Sequence, residues 1–304
     1  MPRHLGIAST NARVQSIDRP RALARRFGNV AGSRAYDLFV PPRRSSGPLP
    51  LVVMLHGCSQ SSRDFAIGTR MDGLAEEQGF LVAYPDQPRS ANMAKSWNWF
   101  RQGDQRRGLG EPSILAGLTR QVMDDFDVDP TRVYVAGLSS GGAAAAVMAM
   151  TYPDLYAAVG IHSGLACGSA ESTSAALMAM RRGALFRPCQ ATQPVPTIVF
   201  HGDRDRTVSP VNGDQVIAQV KPDADVSIAT DQGHSEGGMA YTRTILTELH
   251  SAWSSEQWVL HGGGHAWAGG HPSGSHTDPN GPDASREMLR FFLSHAMDGG
   301  SHRH

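Results

Sequence analysis

The stretch Arg132-Val-Tyr-Val-Ala-Gly-Leu-Ser-Ser-Gly141 decides the fold of this chain. An apolar run of strand length leads into the pattern G-x-S-x-G at residues 137–141, and an alanine-rich run with helical character follows from Ser140 to Met150. The pattern alone is weak in a chain with 33 glycines. A strand before it and a helix after it, however, form the setting of a nucleophile elbow. The stretch therefore predicts a sharp strand-to-helix turn with Ser139 at its tip.

The chemistry of such a turn explains the residue types in it. A serine hydroxyl becomes a nucleophile only when a neighbouring base takes its proton. The turn lifts the side chain of Ser139 above the sheet, and Ser140 then opens a helix, so that its backbone N–H points at negative charge developing on a carbonyl oxygen. We predict Ser139 as the nucleophile and the amide of Ser140 as one oxyanion donor. The alternative is a glycine- and serine-rich turn without chemistry.

The segments on either side alternate between strand-like and helix-like patterns. A continuous apolar run such as Leu51 to Leu55 suits a strand that is buried on both faces. Strands are predicted at 35–40, 51–55, 80–84, 132–136, 157–161, 197–200 and 258–260, and helices near 73–78, 112–126, 140–150 and 283–296. This alternation predicts an α/β fold with a mostly parallel central sheet, flanked by helices on both faces.

Composition excludes several classes of protein. The chain has 304 residues, 28 Lys and Arg against 28 Asp and Glu, and 40% hydrophobic residues. A balanced charge does not favour binding to nucleic acid. The longest apolar runs are too short for a membrane span, and three cysteines exclude a disulfide framework. We therefore expect a globular protein with no nucleic-acid partner and no membrane span.

The two ends differ from the rest of the chain. Residues 1–30 are polar and rich in arginine, and they are interpreted as a disordered tail. The first 26 residues lack the apolar core of a secretory signal peptide, so a cytoplasmic location is expected. Residues 31–297 are predicted to form a single catalytic domain, and residues 298–304 a flexible tail.

An acid and a base should follow the serine in the order Ser, Asp or Glu, His. Asp203 and Asp205 lie in the loop after the strand at 197–200, and loops at the carboxyl ends of parallel strands carry the sites of such sheets. Asp205 is preferred, because Asp203 suits a turn. His265 follows the strand at 258–260 in a glycine-rich loop and is the candidate base. The competing histidines are His261, His271 and His276.

Two further features belong near the serine. The second oxyanion donor should come from a loop after an earlier strand, and the backbone N–H of Cys58 in Leu55-His-Gly-Cys58 fits. Trp97, Trp99 and Trp267 are candidate substrate-binding residues, although aromatic side chains more often pack in a core. Cys58 as a catalytic nucleophile is disfavoured, because no histidine-paired motif surrounds it.

Taken together, these motifs resemble the poly(3-hydroxybutyrate) depolymerase family of esterases, a branch of the α/β-hydrolases that also holds feruloyl and acetylxylan esterases. The resemblance runs from about Arg34 to His295. Its parts are Leu55-His-Gly-Cys58, Trp97-Asn-Trp-Phe100, Gly137-Leu-Ser-Ser-Gly-Gly142, Tyr152-Pro-Asp-Leu-Tyr-Ala-Ala158, His201-Gly-Asp-Arg-Asp205, Gly263-Gly-His-Ala-Trp267 and Thr277-Asp-Pro-Asn-Gly-Pro-Asp283. Family members often carry a cysteine directly before the Trp-Asn-Trp stretch, and Ser96 stands there in this chain.

The resemblance implies an α/β-hydrolase fold and the same site: Ser139, Asp205 and His265, with the amides of Cys58 and Ser140 as the oxyanion hole. It implies a serine carboxylesterase without cofactor or metal, whose substrate is a small-molecule or polymeric ester such as a 3-hydroxyalkanoate oligomer. The alternatives are a feruloyl or acetylxylan esterase and, last, a non-catalytic binding protein on the same fold. Many relatives are extracellular, so that location is the alternative to the cytoplasm.

Overall fold

The computed structural model describes residues 21–42, 47–185 and 193–298. Within these residues ten strands form one sheet. They are β1 (Arg21–Asn29), β2 (Gly32–Val40), β3 (Leu49–Leu55), β4 (Leu81–Asp86), β5 (Val128–Leu138), β6 (Ala158–His162), β7 (Thr197–Gly202), β8 (Val226–His234), β9 (Ala240–Glu248) and β10 (Ser254–Leu260). Two short strands, β11 (Trp267–Ala268) and β12 (Thr277–Asp278), pair separately.

The described chain also contains seven α-helices and one 3-10 turn. They are α1 (Ser62–Thr69), α2 (Met71–Gln78), the turn Gln102–Gln105, α3 (Gly110–Asp125), α4 (Ser140–Thr151), α5 (Thr173–Arg182), α6 (Val211–Val220) and α7 (Ala284–Leu293). Within the same residues, no helix combines the length and the apolarity that crossing a bilayer would require.

The sheet is parallel in its centre and antiparallel at both ends. Its strand order is β1-β2-β4-β3-β5-β6-β7-β10-β9-β8. The six strands from β4 to β10 in this order pair in parallel, whereas β1-β2 and β9-β8 are added antiparallel. The prediction of a mostly parallel α/β sheet is confirmed.

Alternate residues of the central strands face two separate hydrophobic layers. In β3, Leu51 and Val53 belong to the layer covered by α3, α4 and α6, whereas Val52 and Met54 belong to the layer covered by α1, α2 and α7. Because successive side chains of a strand point to opposite faces, a strand with a helix layer on each side must be apolar throughout. The apolar runs of the sequence thus reflect burial on both faces.

The carboxyl ends of the parallel strands place the candidate site. The strands β3, β5, β7 and β10 all end at the same edge of the sheet because they run in the same direction. The loops that follow them carry Cys58, Ser139, Asp205 and His265. Residues that are more than 200 positions apart in the sequence therefore meet at one edge.

The expectation of a tail up to residue 30 needs a correction. The structure shows β1 at Arg21–Asn29, paired antiparallel with β2. Phe27 lies over Gly117 of α3, and Arg25 forms an ion pair of 2.6 Å with Asp125. Leu23, Arg25 and Phe27 are the partly buried side chains of β1, and the arginine among them is paired with an acidic residue of α3, so the polar composition of this segment did not reveal a strand. Residues 1–20 and 299–304 lie outside the described residues, and so do the tail predictions made for them.

Candidate active site

Ser139 sits at a strained turn between β5 and α4. Its φ and ψ angles are 56° and −116°, a region that side chains other than glycine rarely occupy. The backbone N–H of Ser139 donates to the carbonyl of His162 at 2.9 Å, which ties the turn to the neighbouring strand β6. Strain of this kind costs about 1–3 kcal/mol and persists only where the surroundings impose it. The predicted strand-to-helix turn is confirmed.

The two glycines of the pattern G-x-S-x-G are required by close approaches of backbone. A Cβ atom on Gly141 would lie 2.0 Å from the carbonyl oxygen of Leu55, and one on Gly137 would lie 2.4 Å from the backbone of Gly141. Side chains at either position would therefore push α4 away from the ends of β3 and β5. The turn that raises Ser139 depends on both glycines.

Asp205 and His265 form the hydrogen-bonded pair that the sequence predicts. The Nδ1–H of His265 donates to Oδ2 of Asp205 at 2.7 Å, and Oδ1 of Asp205 accepts the backbone N–H groups of Thr207 and Val208, each at 2.9 Å. Burial acts to raise the pKa of Asp205, but the hydrogen bond from His265 and the two amides outweigh it, so the pKa lies below its ordinary value. Asp205 is therefore an ionised acceptor that fixes the ring of His265.

The neighbouring carboxylate has a different partner. Asp203 accepts the Nδ1–H of His261 at 3.1 Å and the backbone N–H of Gly262 at 2.8 Å. His261 also contacts the hydroxyl of Thr242 at 2.8 Å. The side chains of Asp203 and His261 are about 40% exposed. The loops after β7 and β10 thus form two Asp–His pairs, and the one that lies beside the cavity of the serine is Asp205 with His265.

Ser139 and His265 line the same cavity, which has a volume of about 330 Å³. The described residues show no hydrogen bond between the two side chains. Catalytic hydrogen bonds are often long in a structure without substrate and shorten when substrate binds. The cavity thus brings the predicted alcohol, imidazole and carboxylate to one edge of the sheet.

The two predicted oxyanion donors flank Ser139. Ser140 is the first residue of α4, where backbone N–H groups have no partner within the helix. Cys58 lies in the turn after β3 and lines the cavity together with Ser139. Among the hydrogen bonds of the described residues, neither of these two amides donates to another protein group. Both amides are therefore available to an oxygen bound beside Ser139.

Two side chains that the sequence analysis did not assign, Gln60 and His56, hold the turn of Cys58 together with Trp97. Oε1 of Gln60 accepts the backbone N–H of Gly57 at 2.8 Å, and the Nδ1–H of His56 donates to the carbonyl of Gly57 at 2.7 Å. The indole N–H of Trp97 donates to the carbonyl of His56 at 3.0 Å. The stretch Leu55-His-Gly-Cys58 predicted the turn itself. The hydrogen bonds from side chains to its backbone could not be predicted, because no sequence pattern marks them.

The structure does not place two of the three predicted substrate-binding tryptophans at a cavity wall among the described residues. Trp97 and Trp267 are 0% and 1% exposed, and each indole N–H is bonded inside the protein, that of Trp267 to the hydroxyl of Ser285 at 3.0 Å. Such side chains have no free face for a ligand. Trp99 lies instead on the wall of a second cavity beside Ser139, with a volume of about 320 Å³. It remains a candidate substrate contact.

His162 contacts the segment that follows His265. Its Nε2 accepts the backbone N–H of Ala268 at 3.1 Å, and its ring stacks on Trp267 with the centroids 5.2 Å apart. Burial lowers the pKa of His162 to about 3. The ring is therefore neutral, and it anchors the segment that follows His265 without competing as a base.

No group of three or more His, Cys, Asp or Glu side chains in the described ranges is arranged to hold a metal ion. Asp205 and His265 are bonded to each other, and Asp203 is bonded to His261 and Gly262.

Buried histidines predict how stability depends on pH. Burial lowers the pKa of the following four histidines: His56, His162, His201 and His295. Below pH 6.5 the unfolded chain takes up protons that the folded chain does not, so falling pH destabilises the fold. Burial raises the pKa of Asp72 to about 6 and also raises that of Glu111, and these two groups act in the opposite direction.

Because the histidines outnumber the two carboxyl groups, we expect the free energy of unfolding to fall between pH 7.5 and pH 5.5. The slope should be about 1.4 kcal/mol per pH unit for each proton taken up on unfolding. Urea unfolding at the two pH values measures it. A free energy that stays constant or rises on acidification would contradict these protonation states.

The chain is similar in sequence to known esterases. A family model described as esterase PHB depolymerase matches residues 34–234. Poly(3-hydroxyalkanoate) depolymerase C of Paucimonas lemoignei is 30% identical over 251 residues, which cover 79% of this chain and 60% of that protein. Feruloyl esterase B of Neurospora crassa is 33% identical over 150 residues, covering 48% of this chain and 50% of that protein. The chain thus spans only 50–60% of the length of these curated relatives.

The fold of the chain is similar to that of solved esterase structures. Acetyl xylan esterase from Aspergillus awamori has a TM-score of 0.67 and 20% sequence identity, covering 90% of this chain and 99% of that chain. A thermostable esterase has a TM-score of 0.55 and 18% identity, covering 93% of this chain and 64% of that one. At these identities the likeness shows the fold, which is that of the α/β-hydrolases.

Proposed function

Because the chain belongs to the esterase PHB depolymerase family, we propose that it is a serine carboxylesterase. The observation that carries the proposal is the hydrogen bond between Asp205 and His265 at the edge of the cavity that also contains the strained Ser139. A nucleophile on a sharp turn, a base beside it and an acid that orients the base are the parts of a Ser-His-Asp triad. The proposal gives each of these residues one role.

In the first half of the proposed reaction, Ser139 attacks the ester carbonyl while Nε2 of His265 takes the hydroxyl proton. The negative charge on the former carbonyl oxygen is held by the amides of Cys58 and Ser140. The N-terminus of α4 adds its dipole to the amide of Ser140. When the bond to the alcohol breaks, His265 returns the proton to the leaving oxygen and an acyl-enzyme remains.

In the second half, water replaces the alcohol. His265 takes a proton from the water, the hydroxide attacks the acyl carbonyl, and the same two amides hold the oxyanion until the acid leaves and Ser139 regains its proton. Asp205 stabilises the charged form of His265 in both halves because its own carboxyl group stays ionised. The cycle needs only the side chains and amides named here.

For the substrate we propose esters of 3-hydroxyalkanoates, such as oligomers of 3-hydroxybutyrate, or related short-chain esters. This choice is supported by the depolymerase of Paucimonas lemoignei, whose match covers more of this chain than that of the feruloyl esterase. The alternative, an esterase acting on feruloyl or acetyl groups of plant polysaccharides, is supported by the relatives of that name and by the acetyl xylan esterase fold.

A substrate panel tests the proposal. We expect the purified protein to hydrolyse p-nitrophenyl butyrate and 3-hydroxybutyrate oligomers with higher kcat/KM than methyl ferulate, because the wall around Trp99 and Leu177 is predominantly apolar and suits a compact acyl chain. Faster cleavage of methyl ferulate or of acetylated xylan would favour the alternative. Rates no higher than those of a Ser139→Ala variant for every ester would contradict the esterase proposal altogether.

A further inference from the structure

Two cavities meet at the proposed nucleophile. Ser139 and Cys58 line both of them. The first, of about 320 Å³, continues along Trp99, Leu165 and Leu177 and is predominantly apolar. The second, of about 330 Å³, also has a largely apolar surface, with Leu138 and Met180 in its wall, but it contains the polar residues Ser59, Gln60, Thr207, His265 and His276. An ester bound at Ser139 therefore has a separate space for each of its halves.

The position of His265 decides which half enters which cavity. The general acid must reach the oxygen of the leaving alcohol, so the alcohol has to lie on the side of His265. His265 lines the second cavity, whereas it is not among the described residues that line the first. We call the second cavity the alcohol cavity and the first the acyl cavity.

Several side chains that line the alcohol cavity can donate hydrogen bonds. Ser59 and Thr207 provide hydroxyls, and His276 provides an imidazole. As far as the structure describes the chain, no residue that lines this cavity is acidic. The amide of Gln60 is already engaged with Gly57 and Ser275. Such a lining suits an alcohol half that offers only acceptors, above all a carboxylate.

The backbone around His276 is held in place by several hydrogen bonds. The N–H and hydroxyl of Ser275 both donate to the carboxylate of Asp64, at 3.0 and 2.6 Å, and the amide of Gln60 donates to the carbonyl of Ser275 at 3.0 Å. The carbonyl of His276 accepts the N–H of Trp267 at 2.7 Å. The φ angle of His276 is 53°, in the left-handed region. A conformation of this kind that the surroundings impose is typical of functional positions.

We propose that His276 is a specificity-determining residue that binds the free carboxylate of a hydroxy-acid alcohol half. The preferred substrate is then a short hydroxyalkanoate oligomer cleaved next to its acid end: the acyl unit fills the acyl cavity, and the leaving hydroxy acid places its carboxylate on the imidazole N–H of His276. The inference rests on the proposed esterase function. It adds a preference for the free acid over an ester of the same length.

The test compares three substrates on the full chain: the linear dimer of 3-hydroxybutyrate with a free carboxylate, its methyl ester, and ethyl butyrate, whose alcohol has no further oxygen. The wild type should have a higher kcat/KM for the acid dimer than for the methyl ester. The variant His276→Asn shortens the side chain but keeps a residue type that adopts positive φ. We expect this variant to lower the ratio of kcat/KM for the acid dimer to kcat/KM for ethyl butyrate about tenfold. A loss of this size corresponds to one hydrogen bond to a charged group.

His271→Asn is the matched control, because His271 is an exposed histidine of the same loop and is not among the described lining residues of the alcohol cavity. It should leave the ratio unchanged. An unchanged ratio in His276→Asn, or a wild type that prefers the methyl ester, would overturn the role of His276 while ethyl butyrate is still cleaved. Failure of the wild type to cleave any of the three esters would instead reject the esterase function.

Discussion

Replacing Ser139 with alanine is expected to lower kcat for p-nitrophenyl butyrate by about 10⁴- to 10⁶-fold. Without the hydroxyl no acyl-enzyme can form, and the remaining rate comes from the oxyanion donors and from substrate binding alone. The fold should persist, because the turn is imposed by the close backbone contacts of Gly137 and Gly141 and not by the side chain of Ser139. Thermal unfolding of the variant checks this separately from its activity.

Ser140 provides the control for this experiment. Its Oγ atom is buried and has no hydrogen-bond partner among the described residues, whereas its proposed contribution is a backbone amide that alanine retains. Ser140→Ala should therefore lower kcat by less than about tenfold. A serine-directed phosphonate should label Ser139 in the wild type. Labelling at Ser140 or Cys58, or a Ser140→Ala variant as inactive as Ser139→Ala, would contradict the choice of nucleophile.

The sequence predicts the centre of this fold well because burial there leaves little choice of residue. Strands β3, β5 and β6 are covered by helices on both faces, so they consist of continuous apolar runs that end at recognisable loops. The loops after β5, β7 and β10 had to carry the site, since parallel strands end at one edge. The G-x-S-x-G pattern and the order of elements together pointed to Ser139, and the order of elements placed Asp203, Asp205 and His265 in loops at the same edge.

The two ends of the sheet escaped prediction for a related physical reason. Both β1 and β8 are exposed along most of their length, so their sequences contain many polar side chains and lack an apolar run. The tryptophans show a different limit. Aromatic side chains in a polar loop indicate neither packing nor binding until their surroundings are known, and only the structure separates the buried Trp97 from Trp99 on the cavity wall.

The loop after β7 carries two aspartates, Asp203 and Asp205, that are both candidates for the carboxylate that orients the catalytic histidine. From the sequence, both Asp203 and Asp205 follow the same strand. In the structure each binds one histidine through Nδ1, at 3.1 Å for Asp203 with His261 and at 2.7 Å for Asp205 with His265. Only the second histidine lines the cavity of Ser139 among the described residues. Asparagine variants of the two positions therefore form a matched pair.

Asp205→Asn is expected to lower kcat by about 10⁴-fold with little change in KM, because a neutral amide neither fixes the tautomer of His265 nor stabilises its charged form. Asp203→Asn should lower kcat only a few-fold, since its exposed pair with His261 lies outside the cavity. Initial rates with p-nitrophenyl butyrate over a range of concentrations measure both parameters for both variants.

A structural explanation of the loss can be separated from the catalytic one. The side-chain amide introduced by Asp205→Asn keeps an oxygen that accepts the backbone N–H groups of Thr207 and Val208, so the loop should hold its shape and the melting temperature should change little. Collapse of the loop would instead raise KM and lower stability together. If Asp203→Asn lowered kcat as much as Asp205→Asn while both variants stayed folded, the assignment of Asp205 as the only orienting carboxylate would be contradicted. The proton transfer would then have to involve His261.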